Sequence, residues 1–131
     1  MASSSRPLSP HLQVYRLHLT MVLSGLHRIT GLCLVVGLLL LSYWYFAIAV
    51  GGDRYANLQW LFGSALGQIA LFGWTFCLFF HLCNGIRHFF FDAGIGIEHV
   101  TARVSGTAVA FVAGLLTVLT WLTAYMLQGG A

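Results

Sequence analysis

Residues 29–50 read ITGLCLVVGLLLLSYWYFAIAV, an uninterrupted run with no lysine, arginine, aspartate or glutamate. A hydrocarbon core about 30 Å thick takes about 20 helical residues to cross, so this run is long enough to span a bilayer. Two more stretches of the same kind follow at 61–86 and 104–127. A membrane β-barrel would instead show segments of about ten residues with every second one apolar. Runs such as LCLVVGLLLL and ALFGWTFCLFF do not alternate. A helix satisfies its own backbone in lipid, so the expected fold class is an all-α membrane protein with three transmembrane helices.

The composition agrees. Hydrophobic residues make up 59% of the 131 residues and charged residues 7%, against roughly 25% charge in soluble domains. The formal net charge of +3 is explained by positive flanks of membrane spans and calls for no nucleic-acid partner. Arg6, Arg16 and Arg28 precede the first span, and Arg87 and Arg103 flank the loop between the second and third. Only Arg54, beside Asp53, lies in the other loop. By the positive-inside rule the N-terminus faces the cytoplasm or the mitochondrial matrix. The start of the chain shows neither a signal-peptide hydrophobic region nor an arginine-rich transit peptide. The expected location is therefore a bacterial inner (cytoplasmic) membrane, with the mitochondrial inner membrane as the alternative.

No internal repeat divides the chain, which reads as one membrane-anchor domain over 1–131 with an N-terminal interfacial segment at 1–28. The pieces outside the spans are too short to house a catalytic domain. Three helices in lipid also have little surface for a self-contained core, so partner chains are expected. Cys33, Cys77 and Cys83 form no CxxC pattern and suggest neither zinc nor a disulfide framework; buried apolar roles are expected for them. Tyr43, Trp44, Tyr45, Trp121 and Tyr125 fit interfacial aromatic belts.

His81 lies inside the second span, where a polar side chain is costly unless paired or bound. Two roles suit it: an axial ligand to haem iron, or an interhelical hydrogen bond. Gly85, one turn away on the same face, leaves room for a flat macrocycle, and Arg28 and Arg87 are the cations available to propionates. His88 lies on the same helix about 10 Å away, and His27 reads as shallower than His81 by a similar distance. Neither could complete the coordination of one iron, so a second ligand is expected from another chain.

At the entrance to the first span, Ser24, His27, Arg28 and Gly31 fall at i, i+3, i+4 and i+7, on one helical face. A hydroxyl, an imidazole and a fixed positive charge could hold a quinone head group. Interfacial snorkelling toward lipid phosphates explains the same residues. His11, His18 and His99 lie outside the spans and read as solvated. Asp92 and Glu98 are expected to pair with Arg87, His88 or Arg103.

Residues 6–15 (RPLSPHLQVY), 24–31 (SGLHRITG) and 81–92 (HLCNGIRHFFFD) fit the patterns RPxSPHLxxY, SxxHRxTG and HxxxGxRHxxxD. In these motifs, their order and their placement relative to three spans, the chain resembles the cytochrome b membrane-anchor subunits of succinate dehydrogenase, respiratory complex II. The resemblance implies that His81 is the axial ligand to haem b, its other ligand coming from a second, smaller anchor subunit. It implies quinone-site roles for Ser24 and Arg28, with His27 between that site and the haem propionates. Ubiquinone would be the substrate. FAD and iron-sulfur clusters would belong to partner flavoprotein and iron-sulfur subunits, and the chain, with no catalytic residue of its own, would act only within the complex. The alternative is a structural anchor whose polar positions dock partner chains without touching haem or quinone.

Overall fold

The computed structural model describes residues 17–129, which form four helices and no strand. They are α1 (Leu19–Val50), α2 (Gly52–Gly63), α3 (Ala65–Asp92) and α4 (His99–Gly129). α1, α3 and α4 are long and apolar enough to cross a membrane, as the three uncharged runs predict. The motif half at 6–15, with Arg6, His11 and Arg16, lies outside the described residues.

Four boundaries differ from the sequence reading: α3 runs on to Asp92, past residue 86, and α4 begins at His99, ahead of residue 104, and the starts of α1 and α3 move as well. α1 begins at Leu19 rather than near Ile29, because helical backbone continues past the apolar run into residues that lie at the membrane's edge. The second span begins at Ala65, and Leu61 to Gly63 belong instead to the separate helix α2. Ser64 makes that break. Its backbone is extended, at φ −69° and ψ 155°, and its hydroxyl caps α3 by accepting from the Gly67 N–H at 3.1 Å. The same hydroxyl donates to the Leu61 carbonyl at 2.6 Å, so one side chain ends α2 and starts α3. A Cβ on Gly67 would overlap the Leu61 carbonyl, which explains a glycine in the first turn of α3.

The other connections turn on glycine. Gly51 and Gly52 link α1 to α2 with φ of 69° and 63°, a region L side chains rarely adopt. After α3, Gly94 (φ 76°) closes a Schellman motif. Its N–H donates to the Phe91 carbonyl at 2.9 Å, and the Ile95 N–H donates to the Phe90 carbonyl at 2.8 Å.

The inter-helix contacts fix the topology. His27 and Gly31 of α1 meet His81 of α3, while Gly37 meets Trp74, so α1 and α3 run antiparallel. Arg87 bonds Ala102 and Ser105, and Thr75 bonds Trp121, so α3 and α4 are antiparallel too. Leu23 of α1 packs on Gly106 of α4, which brings the starts of α1 and α4 and the end of α3 together. The described Arg28, Arg87 and Arg103 all belong to that end, and Arg54 to α2 at the other.

Close approach rather than bulk holds the helices. Leu23, Phe80, Val109 and Ala113 form the buried apolar cluster, with Phe79 and Cys83 against it. Ala47, Ala102, Gly37, Gly67 and Gly106 are buried as well. Small residues at helix contacts suit lipid, where apolar side chains gain nothing by leaving the solvent. The hydroxyls of Ser42, Thr75, Thr117, Thr120 and Thr123 each donate to the carbonyl four residues back, so none is left bare toward hydrocarbon. Cys33, expected to be buried, is exposed, and Cys77 and Cys83 are half-buried. Of the five belt candidates, Tyr43, Tyr45 and Tyr125 are exposed, whereas Trp44 and Trp121 are half-buried, the Trp121 Nε1–H donating to Thr75 Oγ1 at 3.3 Å.

Candidate functional site

At the end shared by the start of α1, the end of α3 and the start of α4, three imidazoles, an amide and a guanidinium meet. His81 stands on α3 with its Nδ1 at 3.1 Å from the His27 carbonyl and 3.3 Å from Thr30 Oγ1. A carbonyl can only accept, so Nδ1 carries the proton in that bond. Thr30 can accept as well, because its own hydrogen is directed to the Leu26 and His27 carbonyls at 2.9 and 3.0 Å. The network therefore assigns the Nδ1–H tautomer and leaves Nε2 of His81 with a free lone pair.

The His27 ring lies on the His81 ring, centroids 4.0 Å apart and planes 6° apart, and sits 5.1 Å from the His88 ring. The sequence reading placed His27 well short of His81 in depth. The early start of α1 and its antiparallel crossing with α3 bring the two level instead. Nδ1 of His27 is buried with no hydrogen-bond partner among the described residues.

Two glycines shape this stack. A Cβ at Gly31 would come within 2.9 Å of His81 Cε1, so glycine is what admits the imidazole. A Cβ at Gly85 would meet His27 Cε1 at 3.8 Å, an ordinary contact. The space beside Gly85, expected to take a flat ring system, is thus covered by His27.

Arg87 points the other way, into the contact with α4. It is 6% exposed, and its Nε donates to Ser105 Oγ at 3.0 Å, Nη2 to the Ala102 carbonyl at 2.8 Å and Nη1 to Asn84 Oδ1 at 3.3 Å. The Phe91 ring covers its Cζ at 4.3 Å. These bonds also orient the Asn84 amide, since only its oxygen can accept from arginine. Its nitrogen then faces the Leu23 carbonyl at 3.4 Å and His88 Nε2 at 3.5 Å. Asp92 and Glu98 are exposed, and Arg87 has neutral partners, so the carboxylate pairing expected for it is replaced by α4 oxygens. His18 and His99 are exposed as expected.

Arg28 is exposed on α1 and Ser24, one turn earlier, is half-buried. Neither has a hydrogen-bond partner among the described residues. The single face drawn through Ser24, His27, Arg28 and Gly31 therefore splits in use: His27 and Gly31 engage α3, while Arg28 and Ser24 retain free polar groups.

Residues 2–124 match the family described as the succinate dehydrogenase/fumarate reductase transmembrane subunit. The chain belongs to that family. It is 44% identical over 116 residues to the succinate dehydrogenase cytochrome b556 subunit of Paracoccus denitrificans, covering 88% of this chain and 89% of that one. The Rickettsia felis subunit of the same description is 36% identical over 119 residues, covering 90% and 92%. The mitochondrial cytochrome b560 subunit of Sus scrofa is 38% identical over 120 residues, covering 88% of this chain and 68% of its own. With three membrane-crossing helices, this family member is a multi-pass inner-membrane protein.

Thr30, Asn84 and Ser105 received no role from sequence. Asn84 had a legible signal: an amide inside an apolar span, three residues from both His81 and Arg87. Thr30 stood within the SxxHRxTG pattern, but its link to His81 crosses 51 residues of chain and has no local signature.

Proposed function

We propose that this chain is the haem- and quinone-binding cytochrome b anchor of a succinate:ubiquinone oxidoreductase, folded as one membrane domain with its N-terminal end toward the cytoplasm or matrix. His81 Nε2 would hold the iron of haem b. The observation that carries this is the His81 Nδ1–H directed at the His27 carbonyl. A metal-bound imidazole almost always donates its other N–H to such an acceptor, which fixes the ring and raises its basicity.

The residues present fit the group. Beyond the free Nε2, the orphaned buried Nδ1 of His27 calls for a polar partner from outside the described chain, as a propionate or its water would be. A second anchor subunit would help to hold the same haem. Haem, when bound, supplies a one-electron store near the quinone site.

Ser24 and Arg28 hold the ubiquinone head group. A quinone accepts two electrons and two protons as its carbonyls become hydroxyls, and negative charge develops on its oxygens along the way. The Arg28 guanidinium stabilises that charge, and the Ser24 hydroxyl donates to the same carbonyl region. Electrons reach the site from succinate through a flavoprotein and an iron-sulfur subunit, and the chain performs no chemistry alone.

The test is His81→Leu in the assembled complex, followed by its reduced-minus-oxidised spectrum. Loss or displacement of the b-type band is expected. An unchanged band removes the ligand assignment and favours a purely structural anchor.

A further inference from the structure

Among the described residues, no carboxylate pairs with the positive charge of Arg87. This residue is 6% exposed, and its partners are a serine hydroxyl, an amide oxygen, a backbone carbonyl and the face of Phe91. The chain has three acidic side chains, Asp53, Asp92 and Glu98. The first belongs to α2 at the opposite end, and the other two are exposed. Burying a lone charge is expensive, and a packing role alone could be filled by a neutral donor. What distinguishes a guanidinium here is its field, which low-dielectric surroundings and burial leave poorly screened.

Arg87 is six residues beyond His81, about 9 Å along the axis of α3. Three of its five N–H donors are engaged by Asn84 and α4, and the guanidinium is buried against α4, so it is poorly placed to grip a propionate. We propose that Arg87 acts as a fixed charge that raises the reduction potential of the haem held at His81, rather than as a partner of its propionates. This rests on the haem reading above. Reduction of ferric to ferrous haem adds one electron and hence one negative charge, so a nearby positive charge favours the reduced form. A unit charge on the order of 10 Å away, at an effective dielectric near 20, changes the ferrous-to-ferric ratio roughly tenfold. For a one-electron couple that is about 59 mV.

The test is a potentiometric titration of the b-type band in the purified complex, with electrons supplied by dithionite through mediators. Arg87→Gln removes the charge, Arg87→Lys keeps it, and Ser105→Asp sets a carboxylate against the intact guanidinium. Arg87→Gln and Ser105→Asp are expected to lower the midpoint by a tenfold-equivalent shift, with Arg87→Lys close to the parent. If Arg87→Gln fails to assemble, Ser105→Asp decides. An unmoved midpoint in Ser105→Asp overturns the proposal, as does an equal shift in Arg87→Lys and Arg87→Gln, which would mark a packing role. A parent complex with no b-type band defeats the haem reading itself; a His81-dependent band whose midpoint ignores these changes defeats only the role of Arg87.

Discussion

The imidazoles of His27 and His81 lie face to face, 4.0 Å between centroids and 6° between planes. Lone pairs of ring nitrogens lie in the ring plane, so two parallel stacked imidazoles cannot aim at one iron from opposite sides. His27 is thus a neighbour of the residue proposed to hold the iron and would not hold it as well. His27→Phe, which keeps a flat ring on His81, is expected to retain the b-type band that His81→Leu removes. Complete loss of the band in His27→Phe would make His27 a ligand and overturn this assignment.

The two glycines of the site make opposite predictions. Gly31→Ala forces a Cβ to within 2.9 Å of His81 Cε1, and overpacking of this kind costs about 1–3 kcal/mol. Haem content of the purified complex should fall. At Gly85 the added Cβ finds ordinary contact at 3.8 Å from His27 Cε1, and alanine suits a helix better than glycine. Gly85→Ala should therefore keep its haem. Equal haem content in the two variants would show that His81 is not seated as described.

Asn84 is fully buried and ties α3 to α1 through the Leu23 carbonyl while bonding Arg87 and His88 of its own helix. Replacing it with leucine leaves an arginine donor and a carbonyl acceptor without their partner, at about 1–3 kcal/mol for a buried group left unpaired. Thermal inactivation of the solubilised complex should shift to lower temperature while the b-type band persists. Unchanged thermal stability would count against a structural role for this amide.

The spans were legible because lipid imposes one rule on the whole sequence: each crossing needs about 20 apolar residues in a row, and residues 29–50 have them. α2 was not, because Trp60, Leu61 and Phe62 continue the apolar character of the span that follows, and the break rests on one serine hydroxyl bonding in both directions. Within the site, His81 stood out because its cost in lipid is a property of the residue alone. The direction taken by Arg87 is a property of α4. Ser105 and the Ala102 carbonyl compete for the guanidinium, and no spacing within α3 reveals them. The depth of His27 failed for a related reason: an apolar run marks where lipid begins, whereas the helix starts where its backbone bonds begin, at Leu19.

Ser24 and Arg28 have no hydrogen-bond partner among the described residues, while their neighbours His27 and Gly31 are engaged with α3. An exposed guanidinium could merely snorkel to lipid phosphate, so the two roles must be separated by what the electrons reach. If these side chains hold ubiquinone, Arg28→Leu removes a charge-assisted bond of about 1.5–3 kcal/mol, and Ser24→Ala a neutral one of about 0.5–1.5 kcal/mol. Ubiquinone reduction should then fall by roughly tenfold or more in Arg28→Leu and by severalfold in Ser24→Ala. Succinate oxidation by an artificial dye, which bypasses this pocket, should change little. Parallel loss of both activities would indicate failed assembly of the anchor, and normal quinone reduction in Arg28→Leu would return this arginine to the lipid interface.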